Sequence, residues 1–389
     1  FGEWLMPNPR RMMMATAGSA GGFEGGGTLW GWGRNAGRQV GNGNDNVVSV
    51  PVQVGSDDDW IIASQGRNAT IALKSDGSLY SWGTAYRGSN SQGNTTDLSV
   101  PTQIGSSTNW GGPLDHYDNS VASGSHGMAI DQDGKLYAMG GDNEKGNFGL
   151  GHTNNSVSAP TQVGSLTDWA QVTVGSLYTT ALKIDGTLWG FGDNSSGRLG
   201  DGSTTIRSSP VQVGSQTYWT WISSGYDQAM AITTGGKLFS WGNNSLGALG
   251  LGDTSHRSSP VQVGSLTNWS KVYCGGGFTI ALKTDGTLWS FGSNWYGQLG
   301  IGTSGGSAHK SSPVQIGSRT DWVSGGVNGG GGDSFGVTSG GLLFSWGEGH
   351  VNQGGRGNTT AVSSPVQIGT GYNRLNGGSH EAVFAIKTA

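Results

Sequence analysis

Seven histidines, one cysteine and 25 acidic residues are the groups with which this 389-residue chain could do chemistry. The histidines stand at 116, 126, 152, 256, 309, 350 and 380. None forms an HxH or HExxH pair, and no Cys/His spacing fits zinc. Cys274 lies in the apolar run VYCGG, which reads as a small buried hydrophobe rather than a nucleophile, and a single cysteine forms no internal disulfide. No GxSxG, Walker A or strand-led GxGxxG occurs. The loops GDNSSG (192–197), GNNSLG (242–247) and GSNWYG (292–297) have something of a calcium loop's spacing. They lack its carboxylates and distal Glu, so Asn and Gly are read there as turn formers. No catalytic residue, metal ligand or cofactor site is expected, and the chain is not expected to be an enzyme.

The elements that would position any site are a tandem repeat. P-x-Q-[VI]-G begins at Pro51, Pro101, Pro160, Pro210, Pro260, Pro313 and Pro365. A second string recurs seven times, as GTLWGWG (27–33), GSLYSWG (77–83), GKLYAMG (134–140), GTLWGFG (186–192), GKLFSWG (236–242), GTLWSFG (286–292) and GLLFSWG (341–347). In each unit this aromatic-Gly strand leads through a Gly/Asn-rich loop to PVQVG, then to a recurring Trp (Trp60, Trp110, Trp169, Trp219, Trp269, Trp322), then to an apolar run such as GGFTIALK. Asp-Gly joins that run to the next aromatic strand at Asp76, Asp133, Asp185 and Asp285, a strong hairpin signal. No helical period survives, and 75 glycines are too many for helix interiors. The recurring Trp residues are expected to pack between neighbouring units.

The ends settle the architecture. The chain begins with the second arm of a hairpin and finishes with the first, so the two halves complete one unit. We therefore expect an all-β, seven-bladed β-propeller of about 50-residue repeats over 25–389, closed by pairing 27–33 with 381–387. His126 and His380 are placed in one register with Asn68, Tyr178, Asp227 and Phe278, a variable position expected to line the central funnel or a face.

Departures from the period point to function, because the fold does not ask for them. GGPLDHYDNSVAS (111–123) inserts Asp115, His116, Tyr117 and Asp118 into one face, and SGGSAHK (304–310) adds about three residues around His309. Tyr86-Arg87 and Trp295-Tyr296 put large side chains at loop tips where other units have small or aliphatic ones. Tyr, Trp and Arg in loops are favoured binding residues. Residues 1–24 precede the periodicity as an arm rich in Met and Arg. Trp4, Leu5, Met6, Arg10, Arg11, Met12, Met13 and Met14 are its candidate docking residues, with a flexible tail the alternative. The chain starts at Phe1 rather than Met, as a processed or partial sequence would.

The string ALKxDGTLWSWGxNxxGQLGxG followed by SSPVQVG, seen best in 276–302, 181–202 and 231–252, resembles the regulator of chromosome condensation repeat family. The resemblance covers about 25–389 and implies that family's seven-bladed propeller. The near-uniform units look like its bacterial and bacteriophage branch, which implies a bacteriophage virion component (tail, fibre or capsid decoration) at the virion surface, held by its arm. A secreted or bacterial cell-surface propeller that binds or inhibits another protein is the alternative. Eukaryotic members include a guanine-nucleotide exchange factor, but no exchange residue maps onto this chain by motif, and a funnel-site enzyme would need carboxylates or histidines converging from several blades. The expected partners are proteins such as other virion subunits, with a glycan or host-surface ligand on the loops. A net charge of −4 removes the basic field on which nucleic-acid binding relies, and no apolar run is long enough to span a membrane.

Overall fold

The computed structural model describes residues 25–113, 119–154, 157–327, 332–376 and 382–387. They form seven four-stranded antiparallel sheets, one per repeat. A representative sheet, blade IV, runs Trp169–Val174, Tyr178–Lys183, Leu188–Gly192 and Arg207–Gln212 in chain order. Blades II (60–103), III (121–162), V (219–262), VI (269–315) and VII (322–369) repeat it. Blade I is built from both ends of the sequence: Tyr372–Asn376 and Ala382–Lys387 precede Thr28–Gly33 and Val48–Gln53. The closing pair runs from Thr28 opposite Lys387 to Gly33 opposite Ala382, so the expected closure holds to within a residue.

First strands of neighbouring blades contact one another around the ring, which makes them the innermost strands, while the fourth strands, six of them containing a Pro, form the rim. An outer strand would offer a free edge to another chain, and a Pro inside it removes one donor from that edge.

Three repeated contacts explain the sequence motif. The Trp of the third strand donates from Nε1 to a loop carbonyl of the preceding blade: Trp32 to Gln353, Trp82 to Gln39, Trp241 to Arg198 and Trp346 to Gln298, at 2.6–2.9 Å. The ring then lies so close to the preceding blade's loop that only glycine fits; at Gly300 (φ +67°) a Cβ would stand 2.6 Å from the Trp346 indole. Finally, a loop glycine N–H reaches a serine carbonyl on the next blade's outer strand in all seven units. The donors are Gly43, Gly93, Gly151, Gly202, Gly252, Gly302 and Gly357, and the acceptors are Ser99, Ser158, Ser208, Ser258, Ser311, Ser363 and Ser49, at 2.6–2.8 Å. The last of these crosses from blade VII to blade I.

The core is divided into clusters between blades, as the Trp expectation requires: Trp219 of blade V is buried with Leu182, Leu188 and Val213 of blade IV, and Trp269 of blade VI with Ile232 and Val263 of blade V. These Trp residues also meet an aromatic of their own third strand edge-on, as in Trp60–Tyr80 and Trp269–Trp289. A lysine from the end of the second strand caps the pair. Lys283 Nζ lies 3.6 Å from the Trp289 ring centroid and 4.9 Å from that of Trp269; Lys74, Lys183 and Lys387 repeat the arrangement. In blade VII the lysine position is Thr338, and Arg319 from the preceding loop covers Trp322 and Phe344 instead.

Candidate interaction surface

Antiparallel order sorts the loops. Those joining strands 1–2 and 3–4 emerge on one face, which we call the upper face; the Asp-Gly hairpins and the links between blades emerge on the other. In five blades the 3–4 loop is held from inside by a buried asparagine; blades II and VII have Ala85 and Gly349 at that position. Asn294 Oδ1 accepts from Leu299 N at 3.0 Å while its amide donates to Thr303 O at 2.9 Å, and Asn35, Asn143, Asn194 and Asn244 serve likewise. The loop asparagines are thus structural, and the residues just after them are free to vary.

Tyr86 and Arg87 follow that position in blade II, and Trp295 and Tyr296 follow it in blade VI, so both pairs share the upper face on opposite sides of the ring. Tyr86 is 57% exposed, Trp295 53% and Tyr296 47%. Arg87 is not a free reaching side chain. Its guanidinium pairs with Asp142 and with Glu144 (3.1 Å) of blade III, and its backbone has a φ of 52°. His309 is likewise a support. Its ring meets Trp295 edge-on at 4.9 Å, its Nδ1 accepts from Asn294 N at 2.8 Å, and burial lowers its pKa from the ordinary value.

Asp115, His116, Tyr117 and Asp118 lie outside the described residues, as do Trp4, Leu5, Met6, Arg10, Arg11, Met12, Met13 and Met14. The flanks of the 111–123 insertion are described, and they enter on the face opposite Tyr86 and Trp295. Asn119 there donates through Nδ2 to Ile222 O, on the inner strand two blades further round, at 3.0 Å.

His126 corrects an expectation. Strand pairing aligns it with Ala69, Tyr178, Gln228, Phe278 and Asp333, each opposite the last glycine of a third strand; Asn68 and Asp227 fall one residue earlier. The 1–2 connection of blade III is one residue shorter than that of blade IV, which displaced the sequence alignment. The position does not line the funnel. His126 is buried against Phe148 with Nε2 2.7 Å from Thr179 Oγ1, and burial pushes its pKa down to about 3. Tyr178 donates to Gly225 O and Gln228 O of the next blade, and Gln228 to Gly275 O, so these side chains bolt blades together.

Other polar groups gave no signal in the sequence. Arg198 of blade IV, nearly buried, bridges Asp193 (3.2 Å) and Asp227 of blade V (2.8 Å) beside half-exposed Tyr226. In blade VII Asp333 is fully buried, accepts from Gly349 N and lies 3.7 Å from Arg356. Burial raises its pKa to about 7, against the pull of Arg356. The described inner strands carry no Asp, Glu or His; Trp221, Lys271, Tyr273 and Arg374 are their largest half-buried side chains, with Lys271 Nζ 5.0 Å from the Trp221 ring. Among the described residues, no three His, Cys, Asp or Glu side chains gather to hold a metal ion. Cys274 is buried, with its thiol pKa pushed up to about 12. No described helix is long and apolar enough to cross a membrane.

This geometry has close parallels among solved structures. Prp20p from Saccharomyces cerevisiae superposes with a TM-score of 0.80 at 19% identity, covering 100% of this chain and 97% of that one. Human WBSCR16 does so with a TM-score of 0.77 at 17% identity, covering 93% and 99%. Among curated proteins, the mitochondrial RCC1 domain-containing protein RUG3 of Arabidopsis thaliana is 38% identical over 88 residues, 21% of this chain and 20% of that protein. Protein RCC2 of Mus musculus is 40% identical over 91 residues, 22% and 17%. The matched stretch is thus about a fifth of either relative's length. The model of the regulator of chromosome condensation (RCC1) repeat matches 26–73, 133–182, 185–232, 235–282 and 285–331. Those matches span more than half of the sequence and carry the loop, hairpin and Trp contacts described above, and the chain belongs to the regulator of chromosome condensation (RCC1) repeat family.

Proposed function

We propose that this propeller is a non-enzymatic, protein-binding structural component of a bacteriophage virion, a tail, fibre or capsid-decoration subunit held through residues 1–24. The observation that carries the binding role is the upper face. A ring of loops built from Gly, Asn and Ser presents half-exposed Tyr86, Trp295 and Tyr296, which the fold does not need. One likeness supports it, seen in two structures: Prp20p is described with binding properties to Gsp1p and histones, and the same protein, as yeast RCC1 (Prp20), has been solved bound to Kap60. The near-uniform repeats favour the bacteriophage branch, and the virion setting rests on that resemblance.

Purification of the native assembly, with co-purifying chains identified by mass spectrometry, tests this. The expected result is co-migration with phage structural proteins and release when residues 1–24 are deleted. A lone 40.0 kDa monomer would sink the virion reading and favour a secreted or cell-surface binder or inhibitor.

A further inference from the structure

We propose that Trp295, Tyr296 and Glu348 form a carbohydrate-binding site that takes the apolar face of a pyranose ring in a neutral oligosaccharide. The insertion in blade VI makes the case. Its extra residues form the short turn Gly306–Ala308, and the indole of Trp295 rests on that turn, where a Cβ at Gly306 would stand 2.9 Å from the benzo ring. His309 closes the edge. The departure in length and the departure in residue type are therefore one device, whose visible result is an indole fixed in place with half its surface in solvent.

Tyr296 is fixed in the same manner. Its backbone N–H donates to Gln298 Oε1 at 2.9 Å, and its ring packs on Gly332 of blade VII, where a Cβ would stand 2.8 Å from it. Glu348 flanks the same glycine. One oxygen accepts from Gly332 N at 3.0 Å, and the other faces His350 Nδ1 at 3.8 Å. The indole on the Gly306 turn and, one residue on, the Tyr296 ring beside Glu348 give two rigid aromatic faces, the second next to a carboxylate, and such a set matches a sugar. Axial C–H groups stack on the rings, and ring hydroxyls find acceptors and donors at the edge. A ring held in place before binding loses little rotamer freedom when it binds.

On this sector of the upper face the surroundings argue for a sugar, which leaves Tyr86, across the ring, to the protein-binding role proposed above. Hot-spot aromatics at protein interfaces sit inside a rim of further contacts that excludes water. Here the neighbours are Gly305, Gly306, Gly332, His309, Glu348 and His350, and no large aliphatic residue is exposed on the described upper-face loops of blades VI and VII. The equivalent loops of blades I, III, IV and V carry Ala36, Glu144, Ser195 and Ser245, and each keeps its fold without an aromatic.

The test is an immobilised array of neutral gluco-, galacto- and N-acetylglucosamine oligosaccharides, probed with the whole chain and followed by titration calorimetry of any sugar retained. Wild type should retain at least one. Trp295→Ala and Tyr296→Ala should each weaken it at least about tenfold, Trp295→Phe less, and Ser245→Ala not at all, with unchanged melting temperatures. If Trp295→Ala fails to fold, Trp295→Phe and Tyr296→Ala carry the comparison. The proposal falls if no neutral sugar is retained, if both aromatic variants bind like wild type, or if these rings prove necessary only for holding a polypeptide partner.

Discussion

Asp333 makes this propeller's stability depend on pH in a direction that a surface carboxylate would not. Its carboxyl is fully buried, receives Gly349 N at 3.0 and 3.1 Å, and has Arg356 at 3.7 Å with Glu348 nearby. Burial outweighs the guanidinium, and the folded pKa rises from 3.8 to about 7. A raised folded pKa contributes stability that is fully present below the unfolded value and lost as pH climbs through the folded one. The window is therefore pH 4 to 7, and the difference between those pKa values corresponds to roughly 4 kcal/mol. Other groups titrate in the same range: His126, held down to about 3, costs stability as pH falls below its ordinary 6.5. The measurement must therefore be a difference. Asp333→Asn keeps the shape and an acceptor for Gly349 N but is neutral at every pH. Urea unfolding of both proteins from pH 4.5 to 8 should show the variant gaining on wild type as pH rises, by about 3 kcal/mol. A constant offset is expected from leaving Arg356 without its partner and does not bear on the slope. A flat difference, within about 0.5 kcal/mol, or one of opposite sign would mean that Arg356 keeps Asp333 ionised, and the reasoning would be wrong.

Gly300→Ala should destabilise by more than 2 kcal/mol, because its Cβ meets the Trp346 indole at 2.6 Å, whereas Gly317→Ala, also at positive φ but in open space, should cost about 1 kcal/mol; equilibrium unfolding compares them. Trp346→Phe, which imitates Phe191 and Phe291 of other blades, should lose little beyond its bond to Gln298 O, about 1 kcal/mol, while Trp346→Ala should lose about 3–5 kcal/mol. Lys283→Ala should cost about 1 kcal/mol by removing the cap over Trp289 and Trp269, with little response to added salt. Truncation after residue 376 removes the strand opposite Thr28–Gly33, and size-exclusion chromatography should then show association through the opened sheet.

The repeat made blade number, strand number and closure legible, because the motifs that recur in the sequence are the contacts that recur in space. The aromatic-Gly string is the third strand reaching back to the preceding loop, and GxG with SSP is the clasp reaching forward. The exposed tips Tyr86, Trp295 and Tyr296 were legible as residues that a turn does not require. His309 was not legible as a support, since its role depends on an indole fourteen positions earlier. His126 was misplaced because one residue missing from a connection leaves the strand in register but shifts any alignment anchored on the preceding glycine. The Lys–Trp caps needed the pairing of Trp60 with Lys74, which exists only once the bulged strand register is known. Asp333 and Arg356, on separate elements of one blade, left no spacing signal.

The closing strand pair also has a consequence in time. Thr28–Gly33 lies between Ala382–Lys387 and Val48–Gln53, and it cannot receive its inner neighbour until nearly the whole chain has been made. At ordinary synthesis rates that delay is on the order of half a minute. Throughout it, Trp30 and Trp32 lack Ala385 and Val383 opposite them, and the outer strand of blade I has only a fragment of sheet to rest on. Blades II to VII can each condense as they emerge, from contacts local in sequence. Blade I is a joint of very high contact order and sets the slow step. Joining the present ends and opening the chain between blades IV and V, at Gly214-Ser215, would make every sheet contiguous in sequence and trade that joint for a local hairpin. Such a permutant should fold faster to the same ring.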